Sequence, residues 1–151
     1  TMILETKIPP PIVGLFFGFV IHYTRDFFPE LVIKNENIFG TCFILIGLVC
    51  FLSAIGLFKK NQTTVTPLNP SSATKLITHG IYKYSRNPMY LGMSLVIAGI
   101  SIMVNPIGGL AFISLFILYI NQFQIEPEEK AMTKLFKNEF SEYKKNVRRW
   151  V

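Results

Sequence analysis

Three apolar stretches organise the chain, separated by short polar and charged segments. The first runs from about Ile8 to Thr24, opens on Pro9-Pro10-Pro11 and stops at Arg25-Asp26. The second, Ile38 to Phe58, carries no charge and stops at Lys59-Lys60. As a helix rising 1.5 Å per residue it is about 31 Å long, the thickness of a bilayer's hydrocarbon core. The third, Met89 to Gln122, is also uncharged and would be about 51 Å long as one helix, far more than one crossing needs. Asn105-Pro106-Ile107-Gly108-Gly109 sits in its middle and is strong turn chemistry, which predicts two short helices of about 24 Å folded as a hairpin. Beyond it, Met132, Leu135, Phe136, Phe140 and Tyr143 recur at helical spacing and predict an amphipathic C-terminal helix. The pattern predicts one all-α domain over residues 1–151: an integral membrane bundle of about four membrane helices, including the hairpin, plus that amphipathic helix.

Composition agrees with a membrane location. Half of the 151 residues are apolar, 16% are charged, and mean hydropathy is +0.41. Soluble domains carry about 25% charge. Disordered, disulfide-stapled and nucleic-acid-binding classes are excluded on this balance. Cys42 and Cys50 lie about 12 Å apart on one helix, too far for a disulfide, and are packing residues. The first residues, Thr1 to Glu5, lack a basic region and a small-residue cleavage site, so no signal peptide is expected.

The net charge of +6 is distributed unevenly. Lys59 to Pro88 holds five basic residues and no acid, and the tail after Gln122 holds seven basic and five acidic ones. Twelve of the 15 Lys and Arg lie in these two segments. The positive-inside rule makes that side cytoplasmic, with both termini inside. In a prokaryote this means the inner, or plasma, membrane. Basic excess is thereby accounted for by topology and anionic lipid, without nucleic acid.

Two regions on that side carry candidate chemistry. Thr74 to Gly92 brings Gly80, Tyr82, Tyr84, Arg86, Asn87, Pro88 and Tyr90 to the opening of a membrane helix. A plain reading makes Asn87 a cap, Pro88 a first-turn residue and the tyrosines an interfacial belt. The alternative is a ligand site, since free N–H groups at a helix start suit an anionic group. The second region, Gln124-Ile125-Glu126-Pro127-Glu128-Glu129-Lys130, is either helix-start chemistry or a carboxylate cluster for a cationic, hydroxylated ligand. No phosphate-cradling Gly-rich loop, closely spaced His/Cys metal set or serine-nucleophile motif occurs, and His22 and His79 read as structural.

Thr78 to Gly92, the Asn105-Pro106 turn, and Glu128-Glu129 followed by Phe136, Glu142-Tyr143-Lys144-Lys145 and Val147 together resemble the isoprenylcysteine carboxyl methyltransferases. These are integral membrane enzymes related to the phospholipid N-methyltransferases. The resemblance spans roughly residues 64–151. It implies S-adenosylmethionine as cofactor, contacted by Thr74, Lys75, Leu76, Ile77, Tyr82, Asn87, Pro88, Met89, Tyr90 and Glu128. It implies catalytic roles for Arg86 and Glu128, and a lipophilic or lipidated acceptor arriving from the bilayer.

Three departures from the family pattern stand out. Arg-His-Pro becomes Arg86-Asn87-Pro88, which keeps hydrogen bonding but loses a titrating ring. Gln124 occupies a substrate-linked position that is arginine in the eukaryotic enzymes, and a neutral amide cannot pair with a carboxylate as that fork does. Lys137 replaces a common glycine and is expected only to alter the helix surface. The resemblance implies methyl transfer, first to a carboxylate of an isoprenylcysteine-like acceptor; the Gln124 departure speaks against that acceptor and leaves methyl transfer untouched. The alternatives are phospholipid amine N-methylation, or an inactive membrane binding or assembly protein of the same fold.

Overall fold

The computed structural model describes residues 7–62 and 70–151. The first residues, on which the signal-peptide expectation rests, and residues 63–69, within which the resemblance begins, lie outside the described set. Among the described residues five helices follow one another: α1 (Pro10–Tyr23), α2 (Glu36–Lys60), α3 (Pro88–Val104), α4 (Pro106–Ile120) and α5 (Glu126–Asn146). Short 3-10 turns lie at Arg25–Phe27, Pro70–Ser72 and Gly80–Lys83, and one π turn at Asn121–Ile125. No strand occurs among the described residues. The all-α membrane bundle read from the sequence is the fold observed.

α2 extends two residues beyond the apolar run at each end. Glu36 in its first turn and Lys59 and Lys60 in its last complement the helix dipole, so these charges continue the helix into the headgroup zone. Its 25 residues span about 37 Å. α2 packs antiparallel against α3 through two pairs of glycines, Gly47 against Gly92 and Gly40 against Gly99. A Cβ built on Gly92 would lie 2.5 Å from the Gly47 carbonyl oxygen, and one on Gly99 2.5 Å from that of Gly40. The backbones touch at these points, as small residues permit between membrane helices. α1 and α4 close the other side of α3, burying Val13, Ile21, Met93, Ile97, Phe116 and Ile120. Large apolar side chains on α1, α2 and α4, among them Leu15, Phe19, Leu45, Val49 and Leu118, stay exposed and form the lipid-facing surface.

The hairpin between α3 and α4 turns at Asn105, as its sequence predicts. Buried Asn105 accepts from Gly108 N through Oδ1 (2.9 Å), capping α4. Its Nδ2 donates to the carbonyls of Arg25, Phe28 and Pro29, at 3.0, 3.3 and 3.3 Å. Asn105 thus ends α3 through its backbone N–H on the Ser101 carbonyl, while its amide starts α4 and ties the α1–α2 connection to it.

α4 and α5 form one continuous helical run, and the reason lies in Pro127. Proline has no N–H for the carbonyl four residues back, and its ring would press on that carbonyl, here Phe123. The π turn Asn121–Ile125 widens the helix at this place, so the chain crosses the proline without leaving helical conformation. α5 breaks later, at Lys137, with φ 41° and ψ −112°. The expectation that this lysine only alters the helix surface is corrected: it occupies a left-handed conformation that suits glycine. Holding a residue with a Cβ there costs on the order of 1–3 kcal/mol. Lys137→Gly is expected to stabilise the protein, raising its thermal midpoint in detergent, and an unchanged or lower midpoint would contradict that strain.

Candidate active site

The segment Thr74–Asn87 lies over the end of α2 and delivers its side chains to the start of α3. Ile77 and Tyr82 are buried with Ala54 and packed by Leu57, Phe58 and Met89, and the Tyr82 ring meets Phe58 edge-on at 5.6 Å. Gly80 turns the chain with φ 64°, a conformation open to glycine. Tyr143 of α5 donates its hydroxyl to the Tyr82 carbonyl at 2.6 Å, fixing this segment to the C-terminal helix. Burial pushes both the Tyr82 and Tyr143 phenols up, so they remain neutral hydrogen-bonding groups.

At the start of α3 the two candidate regions meet. The Tyr90 hydroxyl donates to Glu128 Oε1 at 2.5 Å. One residue further, Glu129 is held by two arginines. Arg86 Nη2 and Nε reach Glu129 Oε1 at 2.7 and 3.3 Å, and Arg149 Nη2 reaches Oε2 at 2.7 Å with its Nε 3.4 Å from Oε1. These adjacent carboxyls have opposite electrostatics. Burial, reinforced by the neighbouring Glu129 charge, outweighs the hydrogen bond from Tyr90 and pushes Glu128 up to about 8. For Glu129 burial alone would act in the same direction, but the hydrogen bonds and charges of Arg149 and Arg86 prevail and hold it below the usual carboxylate range. At neutral pH one is a carboxylic acid without a cationic partner among the described residues, and the other is an ion. Such divergence between neighbouring titratable groups is characteristic of functional sites.

After α5 the chain turns back as a short strap across the loop before α3. The Arg86 backbone N–H donates to the Arg148 carbonyl (3.0 Å), and Arg86 Nη1 to that of Val147 (2.5 Å). Asn87 Nδ2 donates to the Arg149 carbonyl at 2.9 Å, and Trp150 Nε1 to Asn121 Oδ1 of the π turn at 3.2 Å. The strap therefore joins the start of α3, the π turn and the first turns of α5.

Of the residues singled out from the sequence, Arg86, Asn87, Tyr90 and Glu128 come together around this strap. Ile77, Tyr82, Pro88 and Tyr90 are buried, Leu76, Asn87 and Met89 partly so, and Thr74 and Lys75 lie at the surface. Gln124 is fully buried on the π turn and faces elsewhere: its Nε2 donates to the Ile8 carbonyl at 2.9 Å, and its Oε1 has no partner among the described residues. A cleft of about 420 Å³ opens nearby, between the Gly80–Lys83 turn and the later part of α5, lined by Thr78, Lys83, Glu139 and Tyr143. Arg149, Tyr143 and Trp150 had no site role in the sequence reading, where the terminal charges served only to set topology.

Residues 35–139, more than two thirds of the chain, match the phospholipid methyltransferase family. A rice (Oryza sativa subsp. indica) protein named probable protein-S-isoprenylcysteine O-methyltransferase is 29% identical over 142 residues, covering 90% of this chain and 72% of its own. Protein-S-isoprenylcysteine O-methyltransferase A of Arabidopsis thaliana is 28% identical, over 72% of this chain and 55% of its own. The Homo sapiens protein-S-isoprenylcysteine O-methyltransferase is 29% identical over 80% of this chain and 43% of its own. No solved structure matches. The family match runs from the start of α2 into α5 of this helical membrane bundle, so the chain belongs to the phospholipid methyltransferase family and is a membrane methyltransferase.

Proposed function

We propose that the chain transfers a methyl group from S-adenosylmethionine to the carboxylate of a lipophilic, isoprenylcysteine-like acceptor, at a site formed by the Thr74–Tyr90 segment, the first turns of α5 and the strap. The observation that carries this reading is the unequal state of Glu128 and Glu129. Glu129 has two cations against it, whereas Glu128, partly buried, has only the Tyr90 hydroxyl among the described residues. A cationic donor suits Glu128, because an opposite charge within a few ångströms restores the ionised form of a carboxyl. Thr74–Ile77, Tyr82, Asn87, Pro88, Met89 and Tyr90 are the residues assigned to its remaining contacts.

When bound, the cofactor would supply an electrophilic methyl on sulfur, which a carboxylate oxygen could accept without a base or a metal. The protein's task is orientation and exclusion of water. Arg86 commits three of its five N–H groups to Glu129 and Val147, so it fixes the shape of the site. The acceptor reaches this place from the bilayer, and the site lies on the cytoplasmic side, in keeping with the basic excess of the segments that build it.

The family match itself favours a second reading, methylation of a phospholipid amine. An amine arrives protonated and needs a base, a role open to Glu128 once a bound cation has restored its ionised form. One experiment separates these readings and tests the orientation. Sealed vesicles of known sidedness, containing the chain, are given cofactor labelled in its methyl group on one face only. Label should appear in lipid extracts as a base-labile ester, and only with the cytoplasmic face exposed. Base-stable label in headgroups would replace the carboxylate reading by the amine one, and label from the opposite face would invert the topology.

A further inference from the structure

Arg86, Glu129 and Arg149 form a cluster with one positive charge in excess, and that excess has an address. The Arg86 side chain is 11% exposed, and its Nε, Nη1 and Nη2 are all engaged, with Glu129 and with the Val147 carbonyl. Arg149 differs. Its Nε and one Nη2 hydrogen face Glu129 as a side-on pair, its side chain is 35% exposed, and its Nη1 edge meets no acceptor among the described residues. A guanidinium oriented on one edge and open on the other is pre-organised for a second, planar, two-oxygen anion. Its backbone is pinned as well: the Arg149 carbonyl accepts from Asn87 Nδ2, at the first turn of the helix that carries Tyr90. Arg148, next to it, is exposed and has no side-chain partner among the described residues, so nothing orients it.

We propose that Arg149 is the residue that selects an anionic acceptor, its open guanidinium edge receiving the acceptor carboxylate while Glu129 and Arg86 hold it in place. The inference rests on the carboxylate-acceptor reading above and deepens it. Glu129 keeps the guanidinium from swinging into solvent, and the two oxygens of a carboxylate match the spacing of the free Nη1 and Nη2 hydrogens. A carboxamide of the same shape presents one acceptor and one donor, and the donor meets another donor.

The test is discrimination between these two groups. A prenylated cysteine derivative with a free carboxylate serves as acceptor, and its carboxamide, which cannot form the ester, serves as competitor. Binding of carboxylate and carboxamide is compared in the unmodified chain, in Arg149→Gln and in Arg149→Lys, alongside thermal midpoint and cofactor affinity. The unmodified chain should prefer the carboxylate about tenfold or more. Arg149→Gln should lose that preference, with KM rising more than kcat falls, and with cofactor still bound. Arg149→Lys should keep part of the preference, because charge remains while the fork is lost. A merely structural role for Arg149 would weaken both ligands equally. Ester formation with unchanged discrimination in the variant that folds, whether Gln or Lys, would overturn the role of Arg149 alone. No ester from the unmodified chain would overturn the acceptor reading and this inference with it.

Discussion

Glu129→Gln is expected to abolish methyl transfer and to loosen the C-terminal strap. The substitution keeps size and one acceptor but removes the charge that two guanidinium groups share at 2.7 Å each. Arg86 and Arg149 would then face each other across a neutral amide. Removing one partner of a buried ion pair costs about 3–5 kcal/mol, and the 17% exposure of Glu129 and the 35% exposure of Arg149 reduce this to about 2–3 kcal/mol. The strap is held by Arg86 N–H and Nη1 on the carbonyls of Arg148 and Val147, so its hydrogen exchange should rise in the variant while that of α2 and α3 is unchanged. The pH dependence has a definite sign. A carboxyl held below its usual range in the folded state contributes stability that is present above that range and is lost as pH falls through the folded value. The unmodified strap should therefore open on acidification, and the variant should show an already open strap without that transition. Wild-type strap protection in Glu129→Gln would contradict this account.

Glu128→Gln is expected to weaken cofactor binding by about 10- to 150-fold, the loss of one charge-assisted hydrogen bond of about 1.5–3 kcal/mol. Glutamine still accepts from Tyr90, so the packing of α5 on α3 survives. With the Glu128 carboxyl pushed up to about 8 by burial, a cation must displace a proton to bind at neutral pH. Affinity in the unmodified chain should rise with pH and level off above about 8, and calorimetry in buffers of different ionisation enthalpy should show proton release. Neither effect should remain in the glutamine variant. Stability of the ligand-free chain should move the other way: the contribution of this carboxyl is complete below its ordinary 4.5 and is lost as pH rises towards about 8, because only the folded state keeps the proton in that window. A pH-independent affinity with no proton release would remove Glu128 from the donor site.

The membrane architecture was legible from local pattern alone. Uncharged runs bounded by Arg25-Asp26 and Lys59-Lys60 determine where helices leave the bilayer, since a charge in hydrocarbon is costly wherever the chain goes next. Asn105-Pro106 determines the hairpin for the same reason: capping and proline chemistry act within four residues. The family resemblance, carried by two separate segments, pointed to Arg86, Asn87, Tyr90 and Glu128 as members of one site, where local density alone read equally well as helix-start chemistry. What each does there was decided only by tertiary structure. Glu128 and Glu129 are adjacent and chemically identical, and only the partners brought by folding, Tyr90 to one and Arg86 with Arg149 to the other, drive their proton affinities apart. Those contacts close over 38, 43 and 20 residues, and the strap reaches Arg86 over 61, distances at which no periodicity or spacing carries information. Lys137 is a similar case, for a lysine among helix formers predicts a continuous helix. Yet α5 breaks at that residue, with φ 41° and ψ −112°, before it continues to the strap. Local chemistry set the elements and where they end, because it acts over a few bonds. Packing set the charge states and the site, because burial and Coulomb energy depend on neighbours that the chain acquires only by folding.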